Sequence, residues 1–521
     1  HSFPTRRSSD LRIPCIAPDA NGIPVLYVQG EPFLVLGGEL HNSSSSSLEF
    51  MEKEVWPYIR QFSMNTVILP IAWESIEAGE GCFDFTLLEG ILSQARREKV
   101  RIVLLWFGLW KNGESFYVPS WVKEDDRRFF RACYGAGRPS NTVSPFCREA
   151  VEADKKAFCR LMEFLRETDE EEQTVIMVQV ENEIGFLKAE RDYSDTAQEE
   201  YGKSVPEEIR ELYGKEGNWE QALGEDAPEY FMAYHYARDV EEIASAGKRI
   251  YPLPMYVNAW LEQHPDRPGC YPSGGPVGKL VPLWKNTAPS LDLIAPDIYL
   301  PDLKGVCEEY SVCGNPLFIP EARRDPVTAS NAFYAFGGMN ALGFSPFAVE
   351  DFLREEKEGP DASLLAALNI EADGFSCLGT GPYLVKSYQV LNELYPLLLK
   401  RRGTDRMTGF IRRNPYEKGS IIPMDGYDLQ LDYLSGKMGE PGSAGIIFRE
   451  ENGFYISGCQ VRFTPLPKKG SGTYLTIVGL EEGRFKAGSW VRGRVLNGDE
   501  LNDMTLKSMA ETKYVRICIH R

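Results

Sequence analysis

Eight short apolar segments alternate with longer amphipathic segments between residues 32 and 347, and this alternation limits the fold more than any other feature of the sequence. Parallel strands joined by crossover helices produce such a pattern. The helix-like stretches include residues 48–62, which follow a capping box formed by Ser46 and Glu49. Eight strand and helix repeats predict a (β/α)8 barrel, the TIM barrel. The predicted strands are residues 33–39, 66–73, 101–108, 175–183, 254–260, 293–299, 317–322 and 343–349.

The sequence pattern changes after a predicted helix at residues 383–403, where polar and apolar residues begin to alternate between Gly, Pro and Asp turns. Such alternation predicts antiparallel strands, and we expect them to form a β-sandwich. We therefore divide the chain into a disordered lead-in at residues 1–13, a barrel at residues 14–402 and a β-sandwich accessory domain at residues 403–521. The predicted sandwich strands lie in residues 420–434, 444–458, 473–488 and 513–520.

Composition excludes several classes of function. The net charge of −19 disfavours nucleic acid as a partner, because binding to phosphate backbones depends on Lys and Arg. No apolar run of about 18 residues is present, so we expect no membrane span. Eleven scattered cysteines indicate free thiols, and we expect a cytoplasmic protein. The five histidines lie far apart and no phosphate-binding glycine loop follows a strand, so we expect neither metal nor cofactor. A homo-oligomer is left open.

The segment VIMVQVENEIG, residues 175–185, ends a predicted strand on Glu181, Asn182 and Glu183. A barrel strand is buried on both faces and becomes polar where it emerges at its C-terminal end, which is where barrel enzymes hold their sites. Strict alternation would point Asn182 away from Glu183, so both can face a ligand only if the strand end is distorted. A second strand, LFIPEA, runs in the same way into Glu321.

Carboxylates at the ends of two well-separated strands can converge across the mouth of a barrel. Retaining glycoside hydrolysis needs two carboxyl groups about 5–5.5 Å apart, one to protonate the leaving oxygen and one to attack the anomeric carbon. Repulsion between them keeps one partner protonated as an acid near neutral pH. The structural alternative is that each Glu is an ion-pair or cap residue, with Arg323 and Arg324 neutralising Glu321.

The sequence MVQVENEIG resembles the acid/base strand of glycoside hydrolase family 35, a β-galactosidase family, and the resemblance covers most of residues 30–400. MNTVILPIAWESIEAGEGCFDF is similar to the second-strand segment of that family. GGELHNSSSSS, LLWFGLWKNGESFYVPSWV and the PE of IPEA are closer to a bacterial branch with a C-terminal β domain. The resemblance implies that Glu183 is the acid/base and that Asn182 contacts the sugar 2-hydroxyl. It also implies that Glu321 is the nucleophile and that Tyr299 hydrogen-bonds it.

Polar and aromatic residues near the ends of the other predicted strands are candidates for contact with sugar, because hydroxyls need hydrogen bonds and indole faces stack on pyranose rings. Three departures from the family bear on galactose specificity: Ile184 stands where a Tyr is common, His41-Asn42-Ser43 replaces a usual His-aromatic stretch, and Leu109 stands where many relatives have Glu. The candidate substrate-binding residues are Glu39, His41, Asn42, Trp73, Trp110, Lys111, Asn112 and Trp260.

These observations lead to one main hypothesis. The chain is expected to be a retaining, exo-acting β-glycoside hydrolase, a β-galactosidase that releases terminal β-galactose from oligosaccharides, plant-type ones such as xyloglucan fragments included. The alternatives are a β-glucosidase, a transglycosidase with the same carboxylates, and a barrel that binds carbohydrate without cleaving it. Retention of both carboxylates argues against the last alternative.

Overall fold

Eight parallel strands close into a barrel in which each strand pairs with the next in the chain and the last pairs with the first. The computed structural model describes residues 13–263, 265–354, 363, 365, 372–434, 439–502 and 504–520, so the predicted lead-in, apart from Ile13, lies outside it. Each barrel strand overlaps one predicted segment, which confirms the TIM barrel. The strands are β1 (Val35–Glu39), β2 (Thr66–Ala72), β3 (Arg101–Lys111), β4 (Val175–Asn182), β5 (Met255–Trp260), β6 (Leu293–Ile298), β7 (Ile319–Ala322) and β8 (Gly343–Pro346).

Helices that follow the strands cover the outside of the barrel. Thr86–Glu98 shows why they form: its buried residues Leu88, Ile91, Leu92 and Ala95 recur at helical spacing on one face. None of the described helices is both long and apolar enough to cross a bilayer. In strand order, the helices are Leu48–Phe50, Met51–Val55 and Trp56–Ile59; Trp73–Ile76 and Thr86–Glu98; Ser120–Glu124 and Arg148–Asp169; Asp195–Tyr201, Glu207–Tyr213, Trp219–Leu223 and Ala227–Ile250; Val281–Thr287; Leu303–Tyr310; Val327–Gly337; and Thr380–Arg401.

A small antiparallel sheet closes the N-terminal end of the barrel. Leu26 and Val28 of this sheet share one buried cluster with Val35, Ile68 and Val103, which lie at or near the starts of β1, β2 and β3. Each large apolar side chain buried in this way contributes roughly 1.5–3 kcal/mol. The opposite, C-terminal end of the barrel is therefore the end that can open to a ligand. The sheet consists of Cys15–Pro18, Pro24–Val28 and Glu31–Phe33.

Two antiparallel sheets form the C-terminal domain, as predicted. The strands are β9 (Met407–Ile411), β10 (Gly419–Pro423), β11 (Tyr427–Tyr433), β12 (Ala444–Glu450), β13 (Gly453–Cys459), β14 (Val461–Pro467), β15 (Tyr474–Lys486), β16 (Ser489–Leu496), β17 (Thr505–Leu506) and β18 (Glu511–His520). Leu431 of β11 and Ile456 of β13, one from each sheet, belong to the same buried core. The strand order is β9-β12-β13-β18-β15-β16 in one sheet and β10-β11-β14-β17 in the other.

The C-terminal domain packs on the barrel helix Val327–Gly337. A Cβ atom added to Gly337 would lie 2.4 Å from Cγ1 of Ile446 in β12. A Cβ atom added to Gly409 in β9 would lie 2.3 Å from the backbone nitrogen of Gly338. Glycine is needed at Gly409 because two backbones approach there, and at Gly337 because the Ile446 side chain fills the space that a Cβ atom would take.

Candidate active site

The structure brings Glu183 and Glu321 together at the C-terminal end of the barrel. Glu321 is the next-to-last residue of β7, and Glu183 follows directly after β4. One carboxylate oxygen of each lies within 4.8 Å of the other and of an oxygen of Asp297. Both glutamates keep 8% of their surface exposed, so neither is sealed inside the packing. The expectation that no metal is bound stays a prediction.

Left-handed backbone at two residues distorts the end of β4. Glu181 has φ of 62° and Glu183 has φ of 45°, on either side of Asn182. A non-glycine residue in this region costs roughly 1–2 kcal/mol, so the surrounding contacts must hold it in place. The predicted distortion of the strand end is therefore confirmed.

A bulge in β3 places Lys111 in the acidic site. Trp106 pairs with Val180, but Lys111 pairs with Asn182, so β3 uses five residues where β4 uses two. The Lys111 Nζ atom donates to Oδ1 of Asn182 at 2.8 Å. Its positive charge lowers the pKa of Glu183, against the effect of burial.

Glu321 receives hydrogen bonds that favour its charged form. The Tyr299 hydroxyl donates to Oε1 at 2.5 Å, which is the contact implied by the family resemblance. Glu39, the strand-end acid of β1, also hydrogen-bonds Glu321. Burial and the charge of Glu321 hold the pKa of Glu39 well above its ordinary value, so Glu39 is the protonated partner that donates.

Glu183 lies in surroundings that favour its neutral form. Burial, and next the charge of Glu321, raise the pKa of Glu183 to about 7. The opposing influences are Lys111 and a hydrogen bond from Asp297. Burial raises the pKa of Glu321 too, but Tyr299 and Glu39 donate to its charged form, so the arrangement favours a protonated Glu183 beside a Glu321 that accepts hydrogen bonds.

Sequence reasoning missed Asn258 and Asp297. Asn258 lies in β5 and Asp297 in β6, with 1% and 3% of their surfaces exposed. The Asn258 side chain accepts from the backbone N–H of Glu183 and donates to Asp297. A signal was available, because each is a polar residue inside a strand that is otherwise apolar, which is how Glu183 and Glu321 were found.

Glu181 belongs to a second carboxyl pair, which is fully buried. Its carboxyl hydrogen-bonds that of Asp154, and neither residue has exposed surface. Asp154 accepts from Nε1 of Trp106 at 2.7 Å and from the N–H of Leu109 at 3.0 Å, while Glu181 accepts from the N–H of Trp110 at 2.7 Å. This pair therefore holds the backbone of the β3 bulge.

Two predicted sugar-stacking residues are not at the surface of the site. Trp73 has no exposed surface, and its Nε1 donates to Glu77 at 2.7 Å. Trp110 also has none, and its Nε1 donates to the carbonyl of Val143 at 2.9 Å. An indole that stacks on sugar needs an open face, so the prediction is wrong for both. Trp260 keeps 7% of its surface exposed.

The other predicted contacts lie after β1 and β3. Nε2 of His41 lies 2.5 Å from Oδ2 of Asp351, with which it forms a hydrogen bond. The His41 side chain is 41% exposed. Asn42 and Asn112 each have a buried Oδ1 atom that accepts no hydrogen bond from the described residues.

The structural alternative for Glu321 is wrong. Arg323 pairs with Asp325 at 2.5 Å and Arg324 pairs with Asp351 at 2.9 Å. Neither guanidinium neutralises Glu321. Burial raises the pKa of Glu321, and the positive charge of Lys111 opposes that rise.

Two family models match parts of the chain. Residues 51–226, which include β4 and Glu183, match the model of glycoside hydrolase family 42, described as beta-galactosidase. Residues 384–506 match a domain of unknown function, DUF5597. A search of curated protein sequences found no match.

The solved structures that match the chain include two β-galactosidases and a β-amylase. The β-galactosidase of Bacillus circulans sp. alkalophilus has a TM-score of 0.49 at 10% identity, over 93% of this chain and 99% of its own. The β-galactosidase of Rahnella sp. R3 has a TM-score of 0.47 at 14% identity, over 70% of this chain and 57% of its own. The catalytic domain of a Paenibacillus polymyxa β-amylase has a TM-score of 0.47 at 10% identity, over 66% of this chain and 98% of its own. The match to the β-galactosidase family model indicates that the chain is a glycosidase with a β-galactosidase-like barrel.

Proposed function

We propose that the chain is a retaining, exo-acting β-galactosidase. The observation that supports this most is the spacing of Glu183 and Glu321, which have carboxylate oxygens within 4.8 Å of each other. Inverting glycosidases hold their carboxyl groups roughly 6.5–9.5 Å apart to admit a water, whereas retaining enzymes hold them roughly 5–5.5 Å apart. The short distance favours direct attack by one carboxylate.

In the first step, an oxygen of Glu321 forms a bond to the anomeric carbon while the bond from that carbon to the glycosidic oxygen breaks. Glu183 gives its proton to the departing oxygen, so the aglycone leaves as an alcohol. In the second step, Glu183 takes a proton from a water that attacks the anomeric carbon, and Glu321 leaves as a carboxylate. Two inversions give net retention of configuration.

Asn182 is suited to hold the sugar at its 2-hydroxyl. Lys111 occupies its Oδ1 atom, while its Nδ2 atom is buried with no acceptor among the described residues. A buried donor without a partner costs about 1–3 kcal/mol, and an oxygen of the substrate would remove that cost. The unpartnered Oδ1 atoms of Asn42 and Asn112 are proposed to accept from other hydroxyls.

The proposed substrate is terminal β-galactose on an oligosaccharide, plant-type ones such as xyloglucan fragments included. The family model described as beta-galactosidase supports the galactose part of the proposal. The resemblance of MVQVENEIG to glycoside hydrolase family 35 supports the same activity. All eleven cysteines are free thiols, which supports a reducing compartment such as the cytoplasm.

The test compares Glu321→Gly with Glu183→Gly on an aryl β-galactoside in the presence of azide. Without the nucleophile, azide attacks the substrate directly, and Glu321→Gly should give the inverted α-galactosyl azide. Without the acid/base, azide attacks the galactosyl ester on Glu321, and Glu183→Gly should give the retained β-galactosyl azide. Nuclear magnetic resonance of the products distinguishes the two anomers.

Wild-type rates in the Glu321→Gly variant would overturn the assignment of the nucleophile. Parallel assays with β-glucosides, galactosylated xyloglucan fragments and sugar acceptors define the specificity. Faster turnover of β-glucosides, or transfer in place of hydrolysis, would replace the proposed activity. Binding of these sugars without any turnover would replace it with a binding protein.

A further inference from the structure

We propose that Asp297 is a positioning residue for the acid/base Glu183, which it holds through Asn258 and by direct carboxyl contact. This inference rests on the proposed function, because it concerns how Glu183 delivers its proton. It adds β5 and β6 to the working part of the site, beside the ends of β4 and β7.

The first connection runs through the side chain of Asn258. The backbone N–H of Glu183 donates to Oδ1 of Asn258 at 2.8 Å, and Nδ2 of Asn258 donates to Oδ2 of Asp297 at 2.6 Å. The chain of bonds thus crosses three neighbouring strands, β4, β5 and β6. Glu183 has left-handed backbone, so a fixed acceptor for its N–H helps to keep it in that conformation. Asp297 fixes that acceptor by orienting the Asn258 amide.

The second connection is direct. The other oxygen of Asp297, Oδ1, is buried and accepts from no N–H or hydroxyl of the described residues. The Asp297 carboxyl has an oxygen within 4.8 Å of Glu183 and Glu321, and it hydrogen-bonds Glu183. Two charged carboxyl groups in such contact would repel, and burial, followed by the charges of Glu321 and Glu183, holds the pKa of Asp297 well above its ordinary value. Asp297 thus keeps a proton of its own, in addition to the proton on Glu183. Asp297 therefore donates to Glu183.

This contact has a consequence for proton transfer. When Glu183 gives its proton to the leaving oxygen, it becomes a carboxylate in a buried site. The proton of Asp297 stays on Asp297 and stabilises the new charge by a hydrogen bond. Glu321 has different partners, Tyr299 and Glu39, so the support from Asn258 is directed at the acid/base and not at the nucleophile.

The test uses two substrates that differ in their need for an acid. A dinitrophenyl β-galactoside has a leaving group that departs without a proton, whereas a galactosyl disaccharide requires one. Asp297→Ala should lower kcat/KM for the disaccharide by about 100-fold, in the range of general acid catalysis. It should lower kcat/KM for the dinitrophenyl substrate by less than about 5-fold. Asp297→Asn keeps an N–H donor toward Glu183 and should restore the disaccharide reaction to within about 10-fold of wild type.

Tyr299→Phe is the matched control, because Tyr299 contacts the nucleophile and its loss should slow both substrates alike. Equal loss for both substrates in Asp297→Ala, or no loss for either, would overturn the positioning role while the wild-type activity still stood. If the wild type cleaved neither substrate, the proposed function itself would fail. If Asp297→Ala did not fold, Asn258→Ala would replace it, and the same selective loss on the disaccharide is expected.

Discussion

Two pairs of carboxyl groups meet at the end of β4: Glu183 with Glu321, and Glu181 with Asp154. The surroundings of the two pairs are opposite. Glu183 and Glu321 each keep 8% of their surface exposed, whereas Glu181 and Asp154 have none. Three of the four oxygens of the sealed pair accept from N–H groups of the β3 bulge. The oxygens of the open pair face each other and the third carboxyl of Asp297. Two acids separated by one residue thus differ in what they can do: N–H donors fix Glu181 as a structural support, whereas Glu183 is left next to other carboxyl groups in a partly open site.

The largest effect is expected when Glu183 and Glu181 are each replaced by glutamine in separate variants. Glu183→Gln cannot supply a proton to the leaving oxygen, so kcat/KM for a galactosyl disaccharide should fall by about 1,000-fold, within the range of acid/base catalysis. Glu181→Gln keeps a donor for Asp154 and an acceptor for the Trp110 N–H, so its rate should stay within about 5-fold of wild type. Steady-state kinetics on purified variants measures both. Equal losses in the two variants would show that the pairs are not separate in function.

A smaller effect is expected when the sealed pair is broken. Asp154→Ala leaves the Trp106 Nε1 group, the Leu109 N–H and the Glu181 carboxyl without their partner. Unsatisfied buried groups of this kind should lower the free energy of unfolding by about 3 kcal/mol. Urea denaturation monitored by tryptophan fluorescence measures the change. Asp154→Asn, which keeps part of these bonds, is the control and should lose less; a loss under about 1 kcal/mol for Asp154→Ala would contradict the supporting role.

The barrel and the two central acids could be predicted from the sequence because strands buried on both faces leave a plain apolar signal. Glu183 and Glu321 interrupt that signal where the strands emerge. Asn258 and Asp297 interrupt it too, but a single polar residue in a strand does not reveal a hydrogen-bonded chain that crosses to its neighbours. That chain depends on which strands are adjacent and on the local backbone at Glu183.

The aromatic predictions failed for a different physical reason. Trp110 lies in the bulge between Trp106 and Lys111, where β3 no longer alternates in register with β4. The periodicity that tells inside from outside in a regular strand does not hold there. The Trp110 indole is fully buried, and Lys111 is the residue of the bulge that reaches Asn182 in the site. Sequence spacing alone cannot place a side chain beyond a bulge.

The smallest effect is the pH dependence of the open pair. Because burial and the charge of Glu321 raise the pKa of Glu183 to about 7, kcat/KM for a disaccharide should fall as pH rises through that value and Glu183 loses its proton. Lys111 opposes this shift, so Lys111→Met should move the alkaline limb to higher pH. Glu181→Gln should leave the limb where it is, since Glu181 is not among the groups that shift Glu183.

The same pKa also couples Glu183 to stability, with a definite sign. Its folded-state pKa of about 7 lies above the ordinary value of 4.5, so between these values the folded state binds more protons than the unfolded state. The contribution of Glu183 to the free energy of unfolding should therefore decrease as pH rises from about 4.5 to about 7, and stay constant above. Urea denaturation of wild type and Glu183→Gln at several pH values measures the difference. A difference that did not change with pH would mean that Glu183 is charged across this range, and the acid/base role would then have no proton to deliver.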